Sequence, residues 1–140
     1  RGLPGEHWLA FFYNHSTNML EYFDSYGMGL EAYIYVYESL CTCGLIALCT
    51  PANSTTRLQS DVSLVCGQYC IAFLHWRARN TSTSPTHFSI ILSTAHRTGI
   101  RRDKYIVKIV RDLLHRSNCC TDMLTRSDCS QSCTCTAKQR

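Results

Sequence analysis

Residues 66–76 read CGQYCIAFLHW, and this stretch decides how the rest of the chain can fold. Its apolar side chains recur at helical spacing, so the pattern predicts a helix with one buried stripe. The stripe comprises Tyr69, Cys70, Phe73, Leu74 and Trp76. The helix begins at the thiol of Cys66. The unpaired N–H groups and positive dipole of a helix start stabilise a thiolate there. Gly67 leaves room for a bound peptide backbone. The stretch therefore predicts a nucleophilic cysteine, with a buried inert cysteine as the alternative.

Two short apolar runs near the start of the chain predict a strand pair. Residues 8–13 read WLAFFY and residues 19–24 read MLEYFD, with a polar turn between them. In an antiparallel pair the outer ends are neighbours, so the imidazole of His7 and the carboxylate of Asp24 can meet. The carboxylate would then fix the tautomer of the imidazole. A surface histidine and an ordinary turn aspartate are the alternatives, and Trp8 is expected to pack in the core.

An amide completes the candidate set. Gln59 lies seven residues before Cys66, and its side-chain N–H could join the backbone N–H of Cys66 to form an oxyanion hole. A solvated loop glutamine is the alternative. Together with His7 and Asp24, these residues supply the groups that a cysteine protease needs.

The remaining segments predict helices, a loop and a tail. Residues 30–41 fit a helix better than a strand, residues 51–56 form a polar loop, and a last helix covers about 102–115 with Leu114 on its buried side. Apolar periodicity ends near Ser117, which predicts a domain over residues 1–117 and a cysteine-rich tail over 118–140. The tail reads as flexible, and a four-thiolate metal site there is the less favoured alternative.

Composition and charge exclude some classes of protein. With 45% apolar and 17% charged residues in 140, the chain should fold as one globular domain. The longest apolar stretch, Cys41–Cys49, is far too short to span a bilayer, and no signal peptide is visible. Residues 1–40 carry a net charge of −4 and residues 41–140 a net charge of +8. Seven basic residues lie within Arg97–Arg116, where a solvated helix face is expected more often than a nucleic-acid site.

Several motifs in this order resemble the adenovirus endopeptidase (adenain) group of cysteine proteases, and the Polinton-type and adintovirus-like proteases related to it. The resemblance covers about residues 5–117, and the 17-residue interval between His7 and Asp24 matches the family's. The similar segments are Gly5–Phe11, Tyr22–Gly27, Tyr37–Leu40, Cys66–His75 and Arg101–Tyr105. Asp24 stands where the adenoviral enzymes have Glu, and related ubiquitin-like-protein proteases use Asp.

The resemblance implies an α+β, papain-like or adenain-like core with a small mixed sheet packed on the nucleophile helix. It also implies a thiol endopeptidase that cleaves Gly-containing sites in viral or transposon virion precursors. Cys66 would attack, His7 would transfer protons, Asp24 would orient His7, and Gln59 would stabilise the oxyanion. The family has some tens of residues before its histidine and this sequence has six, so we expect the domain to be N-terminally incomplete.

The resemblance further implies regulators and a location. The chemistry needs no cofactor and no metal, but adenoviral enzymes are stimulated by a disulfide-linked peptide and by DNA. Cys49 lies near the peptide-linking position, and the Arg97–Arg116 cluster is the candidate DNA site. We expect a polypeptide substrate, no membrane association, and a location inside the host cell, in the nucleus or the virion, without secretion. A ubiquitin-like-modifier protease, and an inactive truncated copy that serves as a binding module, are the alternative functions.

Overall fold

The computed structural model describes residues 7–52 and 56–124, with side chains as far as Ser117. The strands are β1 (Ala10–Asn14), β2 (Met19–Phe23) and β3 (Cys49–Pro51). The helices are α1 (Ile34–Thr42), α2 (Cys66–Arg79), α3 (His87–Ala95) and α4 (Gly99–Leu124), and short 3₁₀ turns cover Leu30–Ala32 and Ile46–Leu48. This mixture of helices and a small sheet is the α+β class predicted from the sequence.

The sheet is mixed, in the order β1-β2-β3. Strands β1 and β2 pair antiparallel from Ala10 opposite Phe23 to Asn14 opposite Met19, whereas β3 runs parallel to β2. The Asn14 side chain accepts hydrogen bonds from the backbone N–H and hydroxyl of Ser16, as turn-forming asparagines do. Asn18 closes the turn at φ 55°, a left-handed conformation that asparagine tolerates better than most residues. The predicted strand pair is thus confirmed, and the short parallel β3 was not predicted.

Helix α2 packs on the sheet through aromatic rings. Phe23 of β2 stacks on Phe73 of α2 with ring centroids 4.7 Å apart, and Phe88 of α3 meets both rings edge-on. Buried aromatic pairs of this kind contribute beyond the area that they remove from water. Tyr69 and Phe73 are fully buried, so the helical stripe predicted for residues 66–76 is confirmed at its centre. Its outer members Leu74 and Trp76 are partly buried against the same core.

Two predictions about burial and one about a boundary are corrected by the structure. Trp8 is 59% exposed instead of lying in the core, and Leu114 is 54% exposed instead of facing inward. The last helix begins at Gly99 and continues to Leu124, so it is longer at both ends than the predicted 102–115. The chain divides between Val110 and Arg111 into two units, and the structure describes the second of them as far as Leu124. The tail cysteines Cys129, Cys133 and Cys135 lie outside the described residues.

A buried ion pair ties the hairpin to the end of α2. Two of the three guanidinium nitrogens of Arg77, Nε and Nη2, donate to the carboxylate of Glu21 in β2 at 2.5 and 2.7 Å, and the two side chains are at most 3% exposed. Nη1 donates to the carbonyls of Asn80 and Thr83 beyond the helix. The Asn14 side chain donates to the same carboxylate. Each charge is therefore compensated by several donors or acceptors, as burial requires.

Replacing Arg77 by Ala should destabilise the fold by about 3–5 kcal/mol, because Glu21 would remain buried without its counter-charge. The exposed neighbour Arg79 on the same helix is the matched control, and Arg79→Ala should change stability by less than about 0.5 kcal/mol. Urea unfolding of the two variants measures the difference. Equal unfolding free energies would show that the ion pair does not hold the hairpin to α2.

Candidate active site

The segment that follows β2 forms a tight turn around its first residue. The N–H of Gly27 donates to the carbonyl of Asp24 at 2.9 Å, which closes the turn, and Gly27 adopts φ 69°. The Asp24 carboxylate accepts from the backbone N–H groups of Tyr26 and Met28. Asp at the first position and Gly at the fourth are the residues that such turns favour. The turn therefore fixes the Asp24 carboxylate independently of any catalytic role.

The imidazole of His7 meets this carboxylate at the end of the hairpin. Nε2 of His7 lies 2.7 Å from Oδ1 of Asp24, and Asp24 is completely buried whereas the His7 side chain is 18% exposed. The rings of Tyr26 and Tyr33 stack on the imidazole with centroids 4.8 and 5.5 Å away. The Tyr33 hydroxyl also donates to Oδ2 of Asp24 at 2.6 Å. The predicted meeting of His7 and Asp24 at the strand ends is therefore present in the fold.

The hydrogen bonds around Asp24 determine its ionisation. Burial alone would raise the pKa of the Asp24 carboxyl, but donors from His7, Tyr33, Tyr26 and Met28 outweigh it, so the pKa lies below the ordinary value of 3.8. Burial and the neighbouring carboxylate raise the pKa of the Tyr33 phenol, which therefore stays a proton donor. Asp24 is thus an anion at neutral pH and orients His7 through Nε2.

Because the pKa of Asp24 is lower in the folded chain than in the unfolded chain, its stabilising effect is present above about pH 3.8 and is lost as the pH falls further. Asp24→Asn should cost about 2–3 kcal/mol at pH 7, since hydrogen bonds to a charged group are lost. The gap in unfolding free energy between wild type and variant should narrow toward pH 3. Asp61→Asn, at a residue whose side chain is 77% exposed, is the control. A gap that does not change with pH would contradict the assigned ionisation.

Cys66 is the first residue of α2 and lines a cavity of about 340 Å³ together with His7. The remaining lining residues are Trp8, Tyr26, Leu64, Gly67 and Gln68. No side chain caps the start of α2 at Val65, so the first N–H groups of the helix are left for other acceptors. A Cβ at Gly67 would lie 3.7 Å from the indole of Trp8, which shows how closely that ring covers the helix start. Thiol, imidazole and uncapped helix terminus therefore share one cavity.

A second thiol lies one helical turn further along α2. The Sγ of Cys70 donates to the carbonyl of Trp8 at 3.3 Å and is buried. Burial, with a contribution from the neighbouring Cys66, raises the pKa of the Cys70 thiol to about 12. Cys70 therefore stays a thiol at neutral pH and holds the segment that carries His7 and Trp8 against the helix. The helical period placed Cys70 in the core correctly, but this hydrogen bond leaves no signal in the sequence.

Gln59 is brought near these residues but does not line their cavity. It is 2% exposed, so the alternative of a solvated loop glutamine is wrong. Its Nε2 donates to the carbonyl of Ser63 at 2.7 Å and to the hydroxyl of Tyr26 at 3.3 Å. Its Oε1 accepts from the hydroxyl of Ser25 at 2.7 Å. The side-chain donors that were predicted to bind an oxyanion thus bind the protein itself in this structure.

The predicted sites for regulators are less well defined. Cys49 begins β3, and burial raises the pKa of its half-buried thiol, which lowers its thiolate fraction at neutral pH. The guanidinium of Arg102 donates to the carbonyls of Leu58, His96, Arg97 and Arg57. Arg102 is therefore committed to structure, while the other basic residues of the cluster are exposed.

Two features are absent from the part of the chain that the structure describes. No helix among them is both long and apolar enough to cross a bilayer. In residues 7–52 and 56–117, no three His, Cys, Asp or Glu side chains are grouped so that they could hold a metal ion.

Comparison with known proteins gives one group of relatives. The chain is 35% identical over 98 residues to the protease of human adenovirus B serotype 3, covering 61% of this chain and 47% of the relative. It is 32% identical over 99 residues to the protease of human adenovirus A serotype 12, covering 61% and 48%, and 30% identical over 99 residues to that of human adenovirus D serotype 17, covering 61% and 47%. No family model and no solved structure matches.

The chain spans about half the length of the curated relatives it matches. The resemblance inferred from the motifs around His7, Asp24 and Cys66 is confirmed by these matches. Over about three fifths of its length, the chain is similar in sequence to the adenovirus proteases.

Proposed function

We propose that the chain is the catalytic region of a viral-type cysteine endopeptidase with Cys66 as nucleophile. One observation carries the proposal. The oriented His7–Asp24 pair and the thiol at the uncapped start of α2 meet at one open cavity. The similarity to adenovirus proteases supports the reaction class. A nucleophile, a base, and a group that orients the base are the minimum that such a site needs.

The first half of the reaction forms an acyl-enzyme. Asp24 holds Nε2 of His7, so Nδ1 takes the proton from Sγ of Cys66. The thiolate adds to the scissile carbonyl carbon, and the electrons of the C=O bond move to its oxygen. The N–H groups at the start of α2 stabilise this oxyanion through hydrogen bonds and the helix dipole. The C–N bond then breaks, and the leaving amine takes the proton from His7.

The second half restores the enzyme. Water gives a proton to Nδ1 of His7 and adds to the thioester carbon, the C–S bond breaks, and the proton returns to Sγ of Cys66.

Gln59 was predicted to help bind the oxyanion. For that role, its Nε2 must break its hydrogen bond to Ser63 or to Tyr26 when substrate enters. A preference for cleavage beside glycine fits a cavity lined by the indole of Trp8, because a glycine residue has no side chain that must fit next to that ring. Virion precursors as substrates, and an intracellular or virion location, remain parts of this proposal.

Peptide cleavage and thiol labelling test the nucleophile. Cys66→Ala should abolish cleavage of a fluorogenic peptide containing Gly-Gly, because a methyl group cannot attack the carbonyl. Site-resolved labelling at pH 7 with a thiol-reactive peptide electrophile should modify Cys66 and spare Cys70, whose pKa of about 12 keeps it protonated. Cys70→Ser is the matched control from the same helix, since it keeps a donor for the Trp8 carbonyl, and it should retain labelling at Cys66.

The outcomes separate the alternatives. Equal peptide cleavage by wild type and Cys66→Ala would refute the assignment. Reaction of Cys66 with an electrophile built on a ubiquitin-like C-terminus, without cleavage of the peptide, would favour a protease for ubiquitin-like modifiers. No preference for Cys66 over the exposed Cys41 and Cys43 would favour an inactive copy that serves as a binding module.

Stimulation by DNA is a separate part of the proposal. Four basic side chains of the cluster that belong to the first unit are exposed and could contact phosphates: Arg97, Arg101, Lys104 and Lys108. Added duplex DNA should raise the cleavage rate, and the gain should fall steeply between about 50 and 200 mM salt as counterion release weakens. Lys104→Ala with Lys108→Ala should reduce the gain without changing the rate measured without DNA. A gain that does not depend on salt would exclude phosphate contacts as its cause.

The disulfide-linked activating peptide at Cys49 stays a prediction.

A further inference from the structure

Every polar atom of the Gln59 amide binds a different part of the site's framework. Oε1 accepts from the hydroxyl of Ser25, the residue next to Asp24. One donor of Nε2 reaches the hydroxyl of Tyr26, whose ring stacks on His7. The other reaches the carbonyl of Ser63, three residues before Cys66. The amide thus connects the turn that supports the imidazole with the segment that leads into the nucleophile helix.

The backbone of the same residue strengthens this connection. The N–H groups of Leu58 and Gln59 both donate to the carbonyl of Ser25, at 2.9 and 3.0 Å. The loop that contains Gln59 is also fixed by Asp103 of α4. The Asp103 carboxylate accepts hydrogen bonds from the hydroxyls of Ser60 and of Tyr69 in α2. Gln59 is therefore fixed relative to both halves of the site.

A buried amide with three satisfied partners is costly to disturb. Removing it leaves the fully buried Ser25 hydroxyl without its acceptor and takes a donor from the Ser63 carbonyl. The hydrogen bonds of this amide join the Asp24–Gly27 turn to residues 60–65, the segment that leads to Cys66. Together with the bond from Cys70 to the Trp8 carbonyl, this side chain therefore connects the part of the chain that carries the imidazole with the part that carries the thiol.

We propose that Gln59 is a positioning residue that sets the imidazole of His7 against the thiol of Cys66 before substrate arrives. The inference rests on the proposed function. It differs from the oxyanion role, because it requires Gln59 to act in the free enzyme. Proton transfer between the two catalytic groups needs their correct separation, and a displacement of about 1 Å can cost on the order of 100-fold in rate.

Alkylation of Cys66 by iodoacetamide separates the two roles. This displacement joins Sγ to the CH₂ carbon and expels iodide, and it forms no oxyanion. Its rate at each pH reports the thiolate formed with the help of His7. The rate at Cys66 would be followed by peptide mass spectrometry from pH 4 to pH 9, alongside the kcat for a fluorogenic peptide.

Three variants are compared with wild type. Gln59→Met keeps the length of the side chain and removes its polar atoms, and Ser25→Ala removes one bond while leaving Gln59 in place. Ser63→Ala is the matched control, since only the backbone carbonyl of Ser63 binds Gln59. Urea midpoints establish whether each variant is folded. If Gln59→Met does not fold, the comparison of Ser25→Ala with wild type still tests the inference.

The expected result is a drop of roughly 10- to 100-fold in the alkylation rate near pH 6 for Gln59→Met, a smaller drop for Ser25→Ala, and none for Ser63→Ala. The kcat should fall in the same order. If kcat falls 100- to 1000-fold while alkylation of the folded variants stays as in wild type, Gln59 acts on the oxyanion alone and the inference is overturned. If wild-type Cys66 itself reacts no faster than the exposed Cys41, the proposed function fails and the inference fails with it.

Discussion

The buried carboxylate of Asp24 is the group on which the candidate site depends. It is fully buried and accepts from the imidazole of His7, from the Tyr33 hydroxyl, and from two backbone N–H groups of its own turn. A buried charge needs such donors, because the cost of removing it from water is otherwise prohibitive. These donors stabilise the Asp24 anion. In return, the anion fixes the positions of the turn, the Tyr33 hydroxyl and the His7 imidazole. The fold of the turn and the orientation of the imidazole both follow from the need to compensate one buried charge.

The two halves of the site depend on different long-range connections. The hairpin that carries His7 is joined to the end of α2 by Arg77 and Glu21, while the start of α2 is joined to the turn through Gln59. Helix α2 is therefore held near both of its ends: Arg77 contacts the hairpin, and Ser63, three residues before Cys66, is joined to the turn that follows the hairpin. Because a helix is stiff along its axis, fixing both ends leaves Cys66 little freedom to move relative to His7.

Much of the framework follows from sequence patterns that act over a few residues. Alternation and turn residues predict β1 and β2, helical periodicity predicts α2, and strand pairing brings His7 to Asp24. The exposure of Trp8 could not be predicted, because aromatic composition does not show which ring faces a cavity. The hydrogen-bond partners of Gln59 could not be predicted either, because only tertiary folding brings Ser25, Tyr26 and Ser63 next to its side chain. Strand β3 has three residues, too few to produce a period, and α3 has only nine residues, with a Thr86 N-cap whose side chain makes no capping hydrogen bond.

The placement of the two tryptophans gives the protein two built-in optical reporters. Trp76 is partly buried against the ring of Phe88, so its emission follows the integrity of the core. Trp8 is 59% exposed at the cavity beside Cys66, so its emission follows what occupies that cavity. Replacing Trp76 by Phe would leave Trp8 as the single tryptophan, and its emission can be excited selectively over that of the tyrosines. Binding of a peptide could then be followed in real time without attaching a dye to either molecule.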